Sequence, residues 1–366
     1  MFNNTYKNKK VLITGNTGFK GSWLTAWLLN LGAQVIGFSK DIPTLPSMFE
    51  TLGLEGKITH IFGDVRDSDR IKSLIQSERP NFIFHLAAQA IVSESYKNPL
   101  ETFSTNVMGT INVLEALRNV DYPCSAILIT SDKCYENQEW VWGYREADII
   151  GGRDIYSGSK GAAELAIRAY VNSFFGGRDS KIRIGVCRAG NVIGGGDWAK
   201  DRIAVDAVKA WSKNDLVEVR SPNSTRPWQH VLEPLSGYLT LGSALNLDSE
   251  LHGEAFNFGP RSEQNKKVSE LLESMYKFWN NERDGCGYIV IGENNFKEAG
   301  LLKLNCDKAL SMLNWSSTLE YEKTIAFVAE WYLQNHIKNM DMYNFTIQQI
   351  NDYQELAKGV RAPWSY

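Results

Sequence analysis

No C-x-x-C pair and no Cys/His cluster occurs in this chain, and no apolar run reaches the length of a membrane span. The five cysteines, Cys124, Cys134, Cys187, Cys286 and Cys306, are odd in number and widely spaced. That excludes the usual zinc spacings and a disulfide framework, so reduced thiols and no metal are the expectation. Charge is nearly balanced too, and a net −3 leaves no basic excess for a general nucleic-acid binder. The opening residues, MFNNTYKNKK, carry no apolar core of a secretory leader before Val11-Leu-Ile, and a cytoplasmic location is expected. What remains is 366 residues at 43% hydrophobic and 22% charged, enough for one large or two ordinary domains with a well-filled core.

Short apolar runs alternate with amphipathic ones through the first half. Residues 11–14, 33–38, 58–62, 82–86, 126–130 and 183–188 read as strands, and 23–31, 67–78, 106–120 and 157–175 as helices. Strands separated by helices predict an α/β fold with a Rossmann-type, doubly wound parallel sheet. After about residue 188 short Gly-, Pro- and Trp-rich segments, such as Gly194-Gly-Gly-Asp-Trp198, interleave with helical pieces such as 267–279. This predicts a dinucleotide-binding domain over 1–187, a segment near 228–251 that returns to it, and a smaller substrate domain over the rest of 188–366.

Gly15-Asn-Thr-Gly18-Phe-Lys-Gly21 follows the first strand and opens the first helix. In a dinucleotide fold Gly15 makes the tight turn, Gly18 lets a pyrophosphate approach the backbone, and Gly21 lets helix and strand pack closely. Thr17 and Phe19 complete the turn, and the helix N-terminus faces the diphosphate. Asp64-Val65, after the third strand, is placed to hold the adenine edge. Ala87-Ala88-Gln89, after the fourth, is small enough for a cofactor to pass. At the tip of the second strand, Ser39-Lys40 suits NADP and Asp41 suits NAD, and the residues leave that choice open.

Tyr156-Ser-Gly-Ser-Lys160 places a phenol and an ammonium on one helix face. The ammonium is expected to lower the phenol's pKa, so that Tyr156 takes a proton from a sugar hydroxyl near neutral pH. A lone Y-x-x-x-K arises by chance in many chains. Its specificity here comes from the glycine turn at the distance one α/β domain requires.

With the glycine turn, Asp64, His85-Leu-Ala-Ala88, Asn106 and Tyr156-x-x-x-Lys160 in order, the chain resembles the extended short-chain dehydrogenase/reductases that epimerise or dehydrate nucleotide sugars. Within that group it is similar to the CDP-D-glucose 4,6-dehydratases. That likeness rests on Ser131-Asp-Lys-Cys-Tyr135, Trp142-Gly-Tyr-Arg-Glu146, Arg188-Ala-Gly-Asn-Val-Ile-Gly-Gly-Gly-Asp-Trp198 and Arg226-Pro-Trp-Gln-His-Val-Leu-Glu-Pro234. The resemblance implies NAD as cofactor, with Asn106 among its contacts, and CDP-glucose as the nucleotide-sugar substrate. It implies a homodimer or homotetramer paired through helices 106–120 and 157–175. It also implies a role in making 3,6-dideoxyhexoses of bacterial O-antigen.

The reaction so implied oxidises C4, eliminates water across C5 and C6, and returns the hydride to C6. Tyr156 would be the base at O4, Lys160 would tune it and hold the nicotinamide ribose, and Ser131 would hydrogen-bond O4. Asp132 would protonate the departing O6. Lys133 stands where dTDP-glucose dehydratases carry Glu, and it is left either as the C5 base or as a charged stabiliser of the enolate. Arg188, Asn191, Trp198, Arg202, Arg226 and His230 would surround the substrate, with the diphosphate held by Asn191 and Arg226. Trp140 and Trp142 are either a lid or buried packing. Three competing readings are a 4-epimerase, which needs no acid at O6; an inverting UDP-N-acetylglucosamine dehydratase, which shares the Asp-Lys pair; and a silent NAD-sensing protein, which has no need of Ser131, Tyr156 and Lys160 together.

Overall fold

The computed structural model describes residues 1–176, 180–279, 287–292, 301–338 and 340–366. Val11, Leu12 and Ile13 are wholly buried on both faces of their strand, the pattern of a parallel strand covered on two sides. Seven such strands, β1 (Lys10–Thr14), β2 (Gln34–Ser39), β3 (Thr59–Phe62), β4 (Phe82–His85), β5 (Cys124–Ile129), β6 (Ile182–Ala189) and β7 (Ala255–Phe258), form one sheet. Their order is β7-β6-β5-β4-β1-β2-β3, and every ladder is parallel. The order reverses between β1 and β4, which leaves a crevice at their C-terminal ends, where ligands of such sheets bind.

Helices cover both faces. On one lie α2 (Ser68–Glu78), α3 (Gly109–Arg118) and α4 (Ile155–Tyr170), packed on a core that includes Leu12, Ile83, Leu114, Leu128 and Ile184. On the other lie α1 (Phe19–Asn30) and α6 (Leu232–Leu247), with Trp23, Trp27, Phe84, Ile127 and Tyr238. Local signals set the ends. Asp67 caps α2 by accepting from the Arg70 amide at 3.0 Å, and Gly32, at φ +77, lets the chain leave α1. Helix α5 (Ile203–Trp211) lies in the second half of the chain.

Several expectations change. The helix expected at 106–120 begins with a π turn, Ser104–Met108, before α3, and that expected at 157–175 starts at Ile155 and ends in the π turn Val171–Phe175. Strand β7 was not read from the sequence, nor were the helices Tyr321–Leu333 and Met342–Gly359. Trp315, Trp331 and Tyr353 from the C-terminal part enter the same core as Trp23 and Phe84. Cys124, Cys134, Cys187 and Cys306 are free, and Cys286 lies outside the described residues. Among the described residues no three His, Cys, Asp or Glu side chains are grouped to share a metal ion, and no helix is long and apolar enough to cross a membrane.

Candidate active site

The turn between β1 and α1 is tight because its glycines leave no room for side chains. Gly15 holds φ +77, and a Cβ there would stand 2.7 Å from the Ala87 nitrogen. A Cβ at Gly21 would stand 2.1 Å from the Gly15 oxygen, whereas one at Gly18 would meet only that oxygen, at 3.3 Å. Gly18 therefore faces open space, and it caps α1 with no side-chain hydrogen bond over the first-turn N–H groups. This amide-lined cradle at a helix N-terminus fits a pyrophosphate. Thr17 ties the turn to β2, its hydroxyl donating to the Asp41 carbonyl at 2.7 Å and its amide to Ser39 Oγ at 3.3 Å. The Phe19 ring lies against Gly194, where a Cβ would come within 2.9 Å of it.

Around the cradle, Arg66 grips both oxygens of Asp64, with Nη2 2.6 Å from Oδ2, and its charge and hydrogen bonds hold the Asp64 carboxyl below its ordinary pKa. Val65 packs on α3, where a Cβ at Gly109 would stand 2.7 Å from Val65 Cγ2. Lys40 Nζ pairs with Glu101 at 3.2 Å. The Ala87 amide donates to Thr14 Oγ1 at 3.3 Å, and Ala88 is half-buried beside it. The Gln89 side chain closes on Ile91 and Thr102. Asn106 is bonded to its protein neighbours. Its amide group bonds the Gln89 backbone at 2.8 and 3.1 Å and Ser159 at 2.8 Å, and it is 2% exposed. It fastens the loop after β4 to α4, and its polar atoms are already used in doing so. His85 is buried between Thr14 and Thr110, and burial pushes its pKa down to about 3, so it stays neutral.

At the end of β5 the chain turns sharply at Ser131, which caps the short helical turn Asp132–Cys134. The Ser131 hydroxyl donates to Asp132 Oδ1 at 2.9 Å and accepts from the Lys133 amide at 3.2 Å, and Ser131 acts to lower the pKa of the Tyr156 phenol. Asp154 caps α4 by accepting from the Ser157 amide at 3.0 Å, which fixes where Tyr156 starts its turn. Tyr156, Lys160 and Glu164 then follow at four-residue spacing along the face of α4 turned to the sheet, and all three are buried. Lys133 is half-buried.

The electrostatics differ from the sequence expectation. Burial pushes the Tyr156 phenol up to about 12, and Arg202 is the charge that chiefly opposes this, with Ser131 helping. Desolvation outweighs the cationic neighbours, so the phenol is not brought near neutrality. Burial lowers Lys160 to about 8 against the pull of Cys134 and Glu164. Burial raises Asp132, while Lys133, the Ser131 bond and Lys20 draw it back. The loop after β6 runs against this acid, since a Cβ at Gly190 would stand 3.1 Å from Asp132 Oδ2. The half-buried Asn191 follows directly.

The substrate-side residues differ in their surroundings. Arg188 is 4% exposed, its Nε and Nη2 bond the Glu164 carboxylate at 2.8 and 2.9 Å, and Nη1 bonds the Tyr135 hydroxyl at 2.7 Å. Its guanidinium is therefore held under α4 by protein partners. His230 is enclosed likewise. It is wholly buried with Trp23 and Phe327 edge-on to its ring, and burial lowers its pKa to about 3. Trp198 is buried against Tyr332 and His336 and belongs to the core. Arg202 precedes α5, where its charge reaches Tyr156, Asp197 and Lys20. Arg226 lies in the short strand Thr225–Pro227, with Nη1 donating to the Thr225 carbonyl at 2.9 Å. Trp140 stacks on Tyr144 at 5.1 Å, while Trp142 is 68% exposed. Sequence reasoning missed Glu164, Lys20 and Asp197. Glu164 could have been found, because it continues the spacing of Tyr156 and Lys160.

Comparison with known proteins agrees with this geometry. Residues 12–327 match the family model of GDP-mannose 4,6 dehydratase. The chain is 44% identical over 353 residues to the CDP-glucose 4,6-dehydratase of Salmonella typhimurium, covering 96% of this chain and 97% of that one. The dTDP-glucose 4,6-dehydratase of Bacillus anthracis in complex with NAD shares the fold at TM-score 0.73 and 18% identity, covering 89% of this chain and 97% of that one. The UDP-glucuronic acid 4-epimerase of Bacillus cereus in complex with UDP-glucuronic acid and NAD shares it at TM-score 0.75 and 20% identity, covering 89% and 99%. The chain therefore belongs to the GDP-mannose 4,6 dehydratase family of extended short-chain dehydrogenase/reductases, and its class of reaction is that of a hydro-lyase.

Proposed function

We propose that the protein converts CDP-D-glucose to CDP-4-dehydro-6-deoxy-D-glucose with bound NAD. The observation that carries this reading is Ser131, whose hydroxyl donates to the buried acid Asp132 at 2.9 Å and which also acts to lower the Tyr156 phenol. A base for oxidation and an acid for elimination thus meet at one point. The paired Lys40 leaves less free cation for a 2′-phosphate at the tip of β2, which favours NAD over NADP. When bound, NAD would supply hydride acceptance from C4 and its return to C6.

The protein's part is proton handling and positioning. Tyr156 takes the O4 proton, and Ser131 orients that oxygen. Asp132, with a pKa raised by burial, protonates O6 as it leaves. Lys133 attends the C5 proton, as base or as enolate stabiliser. Asn191, Arg202 and Arg226 hold the nucleotide sugar, all from the part of the chain after residue 188. A 4-epimerase would have no use for a buried acid beside the Ser/Tyr pair. Exposed Phe103, Met108, Leu165 and Phe174, on α4 or in the turns flanking α3 and α4, support a homodimer or homotetramer paired through these helices. A cytoplasmic location and a role upstream of 3,6-dideoxyhexoses in O-antigen complete the proposal.

Incubation with CDP-glucose and NAD, read by the alkaline absorbance of the 4-keto product, tests it directly. Substrate deuterated at C4 should yield product deuterated at C6 without net cofactor consumption. Stoichiometric accumulation of NADH would refute the dehydration cycle, and turnover of dTDP-, UDP- or GDP-sugars instead would refute the choice of base.

A further inference from the structure

The turn that carries Ser131 and Asp132 is tied at both ends to one buried ion pair. On its near side Thr130, the residue before Ser131, donates its hydroxyl to Oε1 of Glu164. On its far side Tyr135, the residue after Cys134, accepts at its hydroxyl from Arg188 Nη1 at 2.7 Å. Arg188 closes the link, since its Nε reaches the same Glu164 Oε1 at 2.8 Å and its Nη2 reaches Oε2 at 2.9 Å. Thr130, Tyr135, Glu164 and Arg188 are each at most 9% exposed. Glu164 stands one turn beyond Lys160 and two beyond Tyr156 on α4. Arg188 lies just ahead of Gly190, where a Cβ would stand 3.1 Å from Asp132 Oδ2. The helix with Tyr156, the turn with Ser131 and the loop against Asp132 therefore meet at a single pair of charges.

Such a pair is a poor source of stability, because the cost of desolvating two charges offsets much of their attraction. Its bonds do fix direction, and the Thr130 hydroxyl adds one more to a carboxylate that Arg188 already grips on both oxygens. We propose that Glu164 and Thr130 are positioning residues, which hold the Ser131–Asp132 turn in register with Tyr156 on α4 so that one sugar reaches all three. This rests on the functional reading given above, and it assigns residues that act through Ser131 rather than on the sugar itself. Were the network a stabilising element only, losing the Thr130 hydroxyl would change melting and leave the chemistry alone.

The test uses the full-length protein with CDP-glucose and NAD, and reads the single-turnover rate of bound NADH formation. Thr130→Val keeps the shape of the side chain and leaves the Arg188–Glu164 pair intact, so the variant should fold. Its oxidation rate should fall roughly ten- to a hundredfold, the range that misplacing a reacting group can cost. KM for CDP-glucose, NAD affinity by calorimetry and the melting temperature should stay near wild type. Thr130→Ser, which retains the hydroxyl, should keep the wild-type rate. In a Ser131→Ala background Thr130→Val should cost little more, because the group it positions is already gone. A wild-type rate in Thr130→Val, or a loss that persists undiminished beside Ser131→Ala, would overturn the proposal while the functional reading stands. Wild-type protein that forms no NADH from CDP-glucose would overturn the dehydration reading, and the proposal with it.

Discussion

The hydroxyl of Ser131 donates to Oδ1 of Asp132 at 2.9 Å, so the residue proposed to orient O4 also holds the proposed acid for O6 in place. In the proposed cycle oxidation and elimination therefore share a joint, and each can be broken separately.

Asp132→Asn keeps the shape of the acid but removes its acidic proton. The variant should still oxidise C4, forming enzyme-bound NADH and 4-keto-glucose, while making little 6-deoxy product. Rapid-mixing absorbance followed by product analysis would decide. A variant that binds NAD normally but forms no NADH would move Asp132 into the oxidation step. Lys133→Met should resemble it, and should slow solvent-deuterium exchange at C5 if the lysine is the base.

Tyr156→Phe should lower turnover roughly a hundredfold or more, the usual loss for an acid/base group, with NAD binding nearly intact. Because burial raises the phenol to about 12, the reactive phenolate is scarce at neutral pH and grows with pH. The wild-type oxidation rate should accordingly climb through the neutral and mildly alkaline range, whereas the Phe variant should lose that slope. Single-turnover rates across pH would show it.

Two glycine variants should fail differently. Gly21→Ala drives a Cβ to 2.1 Å from the Gly15 oxygen, so the turn must shift and the melting temperature should fall. Gly18→Ala meets only a 3.3 Å contact, so stability should change little while NAD affinity drops. Equal loss of stability in both would argue against an open cradle at Gly18.

Arg188→Met removes one partner of a buried, doubly bonded pair and strands Glu164. Destabilisation of about 3–5 kcal/mol is expected from denaturant unfolding, with KM for the nucleotide sugar near normal in protein that remains folded. A selective rise in KM at unchanged stability would place Arg188 at the substrate, as the sequence led one to expect.

Glu233, buried on α6, accepts from the Thr318 amide at 3.0 Å and the Tyr353 hydroxyl at 2.9 Å, yet burial still raises its pKa to about 7. The folded state therefore holds this proton more tightly than the unfolded chain. The resulting stability is complete below the ordinary Glu range and is lost as pH rises toward and through about 7. The free energy of unfolding from denaturant titrations should fall across that window by about 3 kcal/mol, and Glu233→Gln should flatten the slope.

Strands β1 to β6 were legible because each is a short, continuous apolar run. Strand β7, Ala255–Phe258, was not, because Asn257 interrupts it. The fold explains that residue, since its amide group bonds the Tyr135 hydroxyl and the Tyr144 carbonyl, both at 2.8 Å. Tyr156 and Lys160 could be paired from spacing alone, as they share one helix. The fate of Arg188 could not, because its partner Glu164 sits on another element and the motif around Arg188 says nothing of what lies beneath. Lys20 stood inside a quoted motif, but its charged neighbours come from separate parts of the chain.

The sheet's edge has a consequence for synthesis and for dissection. Strand β6 is sealed by β7, which arrives only after a long intervening stretch of chain. A nascent protein that has just completed β6 presents an open, apolar edge able to pair with a neighbour's strand. A fragment ending at 187 would keep that edge permanently and lose the cover of α6. Such a fragment should aggregate rather than stand as a free cofactor-binding module.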